Sequence, residues 1–199
     1  MPVTDDSRFP RLVALACHDL RTPLATVHGF ARTLERLELE EPAGRYVEMI
    51  EAASAQLAEL VDELALVARV EAGRFQPRYE TVDSLELVRG AARELEEGVV
   101  ELTGEGAPVR VERDAARRAI RQLARAARRH GGLESVTADV RGARITISPV
   151  AGTAPGVVTG EELRELGAVA AVVLLRALGA TVEVEGDRLV ISLPPSRSG

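Results

Sequence analysis

Apolar residues in the first third of the chain recur at steps of three and four, the spacing of one face of an α-helix. A first series begins at Phe9 and predicts a helix over residues 8–37; its members are Val13, Ala16, Leu20, Leu24, Val27, Ala31 and Leu34. A second series predicts a helix that ends near Gly73; its members are Tyr46, Ile50, Ala53, Leu57, Leu60, Leu64 and Val67. Residues 38–44, with Pro42, form a short connection, so we expect an antiparallel helical hairpin.

One hairpin leaves much of both apolar faces in contact with water. Two hairpins packed together as a four-helix bundle would bury these faces. We therefore expect a homodimer.

Beyond Gly73 the apolar period changes, and short strands alternate with helices. The predicted strands cover residues 78–82, 99–102, 109–112, 136–140, 144–147, 181–185 and 188–193. The predicted helices run from an N-cap at Asp83 to residue 97, from an N-cap at Asp114 to His130, and from residues 159–162 to Gly179. Residues 151–160 are predicted to be a loop, and the tail 194–199 to be loose.

This order of elements indicates an α+β fold with two domains. Residues 1–75 form the helical hairpin, and residues 76–199 form an α/β sandwich with helices on one face of a mixed sheet.

Composition narrows the class of protein. The 199 residues carry a net charge of −6, which argues against a nucleic-acid binder. No apolar run is long enough to span a membrane. Cys17 is the single cysteine and cannot form an internal disulfide, and no secretory signal is evident, so we expect a cytoplasmic protein.

Residues 17–24 carry the most specific chemical pattern: His18 is followed by Asp19, with Thr22 one helical turn later and then Pro23. An imidazole near half-protonation at neutral pH can attack a phosphoryl group and later release it, and Asp19 is the nearest group that could take its proton. Pro23 has no N–H, so the carbonyl of Asp19 loses its helical partner and the helix can bend there. A lone histidine on such a helix is more often a plain surface residue.

The residues around His18 favour a functional role over that of a plain surface residue. The run His18-Asp19-Leu20-Arg21-Thr22-Pro23-Leu24 resembles the H-box of the HisKA family of sensor histidine kinases, and residues 60–75 are similar to the way that family's dimerisation and phosphotransfer domain ends. By this resemblance His18 is the phosphoacceptor and Asp19 its acid–base partner. Thr22 matches the residue that orients water when the domain acts as a phosphatase on a response regulator. Arg21 would lie near the phosphoryl group and could offset its charge.

In that family an ATP-binding domain of GHKL type follows the hairpin, and residues 79–194 resemble it in the order of their elements. Three nucleotide-binding features are missing. Ala126 stands where a magnesium-coordinating asparagine is expected, residues 148–156 contain no acid to read the adenine, and Gly167 lies within apparent helix instead of a flexible lid. The resemblance therefore implies a degenerate domain that does not support autophosphorylation.

These features favour a histidine phosphotransferase that exchanges phosphoryl groups with the aspartates of response-regulator receiver domains at His18. It would need no ATP and no cofactor of its own, because the receiver carries Mg²⁺. Three alternatives stay open: a histidine kinase with an atypical ATP site, a response-regulator phosphatase, and a non-catalytic module that only docks a response regulator.

Other chemistry finds little support in the sequence. Cys17 and His18 point about 100° apart on a helix, and His28 lies roughly 15 Å from His18 along the axis, so we expect neither a thiolate–imidazole pair nor a metal site. Four arginines at helical spacing have no role in this chemistry. We call Arg118, Arg121, Arg125 and Arg128 the arginine stripe. It is a solvated face, a surface for an acidic partner, or a surface that packs against the protein's own bundle.

Overall fold

The computed structural model describes residues 8–37 and 41–196. The chain divides into two compact units, Met1–Arg74 and Phe75–Gly199. The helices are α1 (Arg8–Glu35), α2 (Ala43–Glu71), α3 (Ser84–Arg93), α4 (Arg113–Gly131), α5 (Ala154–Thr159) and α6 (Leu166–Ala177). The strands are β1 (Glu80–Asp83), β2 (Val100–Gly106), β3 (Pro108–Val111), β4 (Val136–Gly142), β5 (Arg144–Ser148), β6 (Thr181–Glu185) and β7 (Arg188–Ser192).

The first unit is the expected helical hairpin of α1 and α2, which pack along their length. Cys17 and Ala31 of α1 are buried, as are Val47 and Leu66 of α2. Residues 38–40 of the predicted connection lie outside the described residues.

The apolar stripe of each hairpin helix is wider than the strip that the other helix covers. Among the side chains that the structure describes, the large apolar ones left uncovered are Leu20, Val27, Phe30 and Leu34 on α1, and Tyr46, Met49, Ile50, Leu57, Leu60 and Leu64 on α2. On α2 these positions fall within an arc of about 100°, at 100° per residue. The hairpin alone therefore leaves a continuous apolar face on α2 in contact with water.

The second unit is built on a mixed five-stranded sheet of order β2-β4-β5-β7-β6. The pair β2–β4 is parallel, and β4–β5, β5–β7 and β7–β6 are antiparallel. Side chains alternate along the strands, so Ala138, Val140, Ile145 and Ile147 are buried on one face, while Asp139 and Thr146 lie on the other. The helices pack against one another over the apolar face, which confirms the predicted α+β architecture.

Several predicted boundaries in this unit are wrong. Helix α3 ends at Arg93 instead of residue 97, because the acids at 94, 96 and 97 would interact unfavourably with a helix C-terminus. Glu112 is the N-cap of α4, and Asp114 lies in the first turn, where it pairs with Arg117 at 3.0 Å. Strand β2 extends to Gly106, and β1 pairs with β3 in a separate two-stranded sheet.

The region predicted as the loop 151–160 contains α5, which has Pro155 in its first turn, a position that proline favours. Residues 160–165 form a connection instead of the first turn of the last helix, so α6 begins at Leu166. The tail is not loose over residues 194–196. Pro194 accepts a hydrogen bond from Arg110 N–H at 2.9 Å, and Ser196 N–H donates to Pro108 at 3.0 Å. Residues 197–199 lie outside the described residues.

Candidate phosphoacceptor site

His18 lies in the first half of α1, with its side chain exposed. Asp19 and Thr22 are exposed as well, and Cys17 next to them is buried and anchors this turn against α2. At 100° per residue His18 and Thr22 lie about 40° apart on one side of the helix. A phosphoryl donor can therefore approach the imidazole and the threonine hydroxyl from the same direction.

Pro23 lies inside α1, as the sequence shows. It supplies no N–H to the carbonyl of Asp19, so one hydrogen bond of the helical ladder is missing directly after the histidine. The hydroxyl of Thr26 donates to the carbonyl of Thr22 at 3.1 Å, and so stabilises the next turn. The turn that carries His18 is thus less constrained than the turn that follows it.

Arg21 does not point freely into solvent. Its Nη2 donates to Oδ1 of Asp62 on α2 at 2.6 Å, and about half of each side chain is exposed. Sequence reasoning did not single out Asp62, although it lies within the segment of the second helix that carried the family resemblance. Because the two residues are 41 positions apart, only the register between α1 and α2 reveals their contact.

Burial raises the pKa of the Cys17 thiol; the nearby Arg21 lowers it and Asp62 raises it further. The thiol is therefore protonated at neutral pH and does not compete with the imidazole as a nucleophile.

The other two histidines belong to separate contacts. His28 Nδ1 lies 3.2 Å from the hydroxyl of Ser54 on α2. His130 Nε2, at the end of α4, lies 2.8 Å from Glu165 Oε2. Among the described residues no group of three or more His, Cys, Asp or Glu side chains is arranged to hold a metal ion. No described helix is long and apolar enough to cross a membrane.

Of the positions predicted to have lost nucleotide contacts, Ala126 and Gly167 are buried, whereas the segment 148–156 is buried only in part, with Pro149, Gly152 and Thr153 exposed. Ala126 of α4 is completely buried, and so are Ala154 and Val157 of α5 and Ala168 of α6. Helix α4 packs against both α5 and α6. The connection between α5 and α6 is only residues 160–165, and Glu165 at its end is held by His130.

The arginine stripe of α4 is partly paired. Arg121 lies 3.2 Å from Glu94, which also pairs with Arg117 at 2.9 Å, and Arg128 lies 3.9 Å from Glu96. Arg118 and Arg125 are exposed and make no ion pair with any described residue. One side of the stripe therefore packs on the acidic end of α3, and the other side faces solvent.

Comparison with known proteins places the hairpin in a family. Residues 11–73 match HisKA, the His Kinase A (phospho-acceptor) domain, and this span contains His18, Asp19, Arg21, Thr22 and Asp62. The helical hairpin is therefore of the HisKA type, the phosphoacceptor domain of sensor histidine kinases.

Individual relatives of the chain agree with this match. Histidine protein kinase DivJ of Caulobacter vibrioides is 31% identical over 120 residues, which are 57% of this chain and 20% of DivJ. Sensor protein DivL of the same organism is 32% identical over 75 residues, 37% of this chain and 10% of DivL. The chain thus spans at most about a fifth of these relatives.

Solved structures share the fold. Full-length ShkA, solved in complex with AMPPNP, superposes with a TM-score of 0.71 at 24% identity, over 96% of this chain and 47% of ShkA. The histidine kinase AdeS of Acinetobacter baumannii superposes with a TM-score of 0.59 at 20% identity, over 90% of this chain and 98% of the solved AdeS chain. Both units therefore have the folds of a histidine kinase: a phosphoacceptor hairpin, and an α/β domain similar to the GHKL ATP-binding domain.

Proposed function

We propose that this chain is a histidine phosphotransferase of a two-component phosphorelay that works without ATP. A ring nitrogen of His18 attacks the phosphorus of a receiver's phosphoaspartate. The nitrogen–phosphorus bond forms as the bond from phosphorus to the aspartyl oxygen breaks, and the aspartate leaves as a carboxylate. Asp19 accepts the imidazole proton, and returns it when the phosphoryl group passes to a second receiver.

The exposure of the motif supports this chemistry. The imidazole of His18 and the carboxylate of Asp19 are both open to solvent, so a receiver's phosphoaspartate can reach them without rearrangement of the hairpin. Arg21 lies one turn away and can offset the charge of the phosphoryl group when it exchanges Asp62 for that group. No cofactor of this chain enters the step, and the Mg²⁺ belongs to the receiver.

The burial of Ala126 is the observation that supports phosphotransfer without ATP. A residue that held Mg²⁺ on α4 would need open space in front of it, whereas Ala126 has no exposed surface and its helix packs against both α5 and α6. Glu165 adds a negative charge directly before α6, at the helix N-terminus that would otherwise attract a phosphate. Both features disfavour a bound triphosphate.

The partners follow from the surfaces of the hairpin. A response-regulator receiver would approach the exposed side of α1 that carries His18 and Thr22. A second copy of the chain would cover the apolar face of α2, which includes Ile50 and Leu57, to complete a four-helix bundle. We expect this homodimer to act in the cytoplasm, where receiver domains would be available and Cys17 would stay reduced.

A histidine kinase with an atypical nucleotide site is the second candidate. It is favoured by DivJ and AdeS, which are named histidine kinases, and by ShkA, which was solved with AMPPNP. Two further possibilities keep the same partner: a phosphatase, in which Thr22 orients water toward the receiver's phosphoaspartate, and a docking module that uses no chemistry at His18.

The test is to mix the full chain with a receiver domain charged from ³²P-acetyl phosphate and to follow the label. Acid-labile label on the wild type, and none on His18→Gln, is expected for a phosphotransferase. Faster release of free phosphate that is lost in Thr22→Ala would instead identify a phosphatase. If the receiver binds but its label is unchanged, the chain is a docking module.

A further inference from the structure

The second unit has an open groove that the proposed phosphotransfer does not use. It lies between helix α3 and strand β2, has a volume of about 630 Å³, and is lined by apolar side chains that include Leu85, Leu95 and Leu102. These three side chains are half-buried. An occupant would therefore bury apolar surface in this groove, which is accessible from solvent.

Strand β2 borders this groove as an edge of the five-stranded sheet, with β4 as its only partner among the described strands. Val100 is in register with Val136, and Val136 N–H donates to the carbonyl of Val99 at 3.0 Å. In a parallel pair the residue between two bonded positions turns its own N–H and C=O to the other side. The backbone groups of Val100 and Leu102 thus point away from β4, toward the open edge.

The regular part of this edge is short. Gly104 has φ of +95°, and a Cβ atom there would lie 2.0 Å from the carbonyl oxygen of Val140. The positive φ makes the backbone irregular at Gly104, so the regular part of the edge covers residues 100–103. Short edges limit uncontrolled aggregation, but still allow a segment of about four residues to pair.

The charges along the groove are also uneven. Arg89 and Arg93 lie one turn apart on α3 and line the groove, which is also lined beyond the end of α3 by Glu96 and Glu97. Glu96 lies 3.9 Å from Arg128. Arg89 pairs with Glu86, whereas Arg93 is exposed and makes no ion pair with any described residue. A carboxylate on an occupant would find its partner in Arg93.

We propose that this groove binds an extended peptide segment of a partner protein, which pairs with β2 as an added strand. The segment has two apolar side chains separated by one residue, which enter the groove beneath α3. It also has an acidic side chain that pairs with Arg93. The open backbone groups of Val100 and Leu102 select an extended chain over a helix or a compact small molecule. This surface is independent of the chemistry at His18.

The experiment uses the full chain and phage-displayed random dodecapeptides, with enriched sequences resynthesised with a fluorescent label and measured by polarisation. We expect enriched peptides to share the apolar-x-apolar pattern and an acid. Arg93→Glu should weaken binding by about tenfold or more, the loss of a charge-assisted hydrogen bond. The same charge change at Arg118, exposed on α4 and outside the groove, should leave affinity within about twofold.

The backbone contact has its own pair of variants. Val100→Pro removes the outward N–H without removing a hydrogen bond to β4, and should abolish binding, whereas Val100→Thr keeps this N–H and should retain binding. If Val100→Pro does not melt like the wild type, N-methylation at successive peptide positions replaces it, and only alternate positions should be sensitive. Absence of any enriched peptide, or binding that ignores Arg93→Glu together with Val100→Pro or the methylated positions, would overturn the proposal.

Discussion

Arg21 Nη2 and Asp62 Oδ1 lie 2.6 Å apart and join α1 to α2 one turn beyond His18. The two side chains are each about half exposed, so their attraction adds less than about 1 kcal/mol to the stability of the hairpin. The pair keeps the Arg21 guanidinium on the helical turn after His18, hydrogen-bonded to a carboxylate. A phosphoryl group on His18 would compete with Asp62 for Arg21.

This competition predicts opposite effects for the two partners. Arg21→Ala should slow phosphotransfer to His18 by about tenfold, the loss of one charge-assisted hydrogen bond. Asp62→Asn should leave the rate unchanged or raise it, because Arg21 is released. Arg32→Ala, an exposed arginine farther along α1, is the control. If Asp62→Asn slows transfer as much as Arg21→Ala, the pair has only a structural role.

The apolar face of α2 predicts a dimer that a single charge breaks. Leu57→Arg places a cation in the middle of this face and should convert the dimer to a monomer, measured by size-exclusion chromatography with light scattering. Ala55→Arg introduces the same side chain about 160° away around the exposed surface of α2, and should leave the dimer intact. A Leu57→Arg protein that remains dimeric would place the interface elsewhere.

The closed packing around Ala126 predicts that an asparagine there cannot restore nucleotide binding. Ala126→Asn would bury a larger amide without room or partners, and should lower the free energy of unfolding by about 2–4 kcal/mol in urea titrations. Arg125→Asn, on the exposed side of the same helix, should cost less than about 1 kcal/mol. A stable Ala126→Asn protein whose Tm rises with Mg-ATP would show instead that the nucleotide site is open.

The buried thiol of Cys17 predicts that the stability of the folded protein falls as the pH rises. Burial raises the pKa of its thiol, so the folded protein resists ionisation that the unfolded chain undergoes. The resulting stability is fully present below the pKa of the unfolded thiol, about 8.5, and is lost as the pH rises through the pKa of the folded one. Urea titrations at rising pH should show this loss in the wild type, and a smaller one in Cys17→Ala.

Thiol labelling checks the same burial independently. Ellman's reagent should react at least about tenfold more slowly with folded than with urea-unfolded protein, because both access and the thiolate fraction are reduced. Equal rates in the two states would mean that the turn beside His18 opens readily.

The spacing of apolar residues was sufficient to predict both hairpin helices, because α1 and α2 are long and each buries one stripe. The spacing could not show which residues of a stripe pack against the other helix of the same chain and which stay exposed for a partner. Leu20 and Ala31 belong to the same sequence series, yet Leu20 is exposed and Ala31 is buried. The division depends on how the two helices are rotated against each other.

Short elements and long-range contacts were harder to foresee. Acidic residues 161 and 162 suit a first helical turn, but Glu162 N–H donates to the carbonyl of Gly156 and extends a connection instead. The motif around His18 was evident from its residue order. Asp62, Glu165 and the outward backbone groups of β2 depend on the packing or register of elements distant in sequence, so their contacts could not be inferred from local patterns.

The central claim is that phosphoryl groups reach His18 from a receiver domain and not from ATP. It is tested most directly by measuring acid-labile ³²P on the full chain after incubation with either a ³²P-charged receiver or Mg²⁺ and [γ-³²P]ATP, with His18→Gln alongside. We predict label from the receiver, none from ATP, and none on the variant in either case. Label on wild-type His18 from ATP alone would contradict the claim and identify the chain as a histidine kinase.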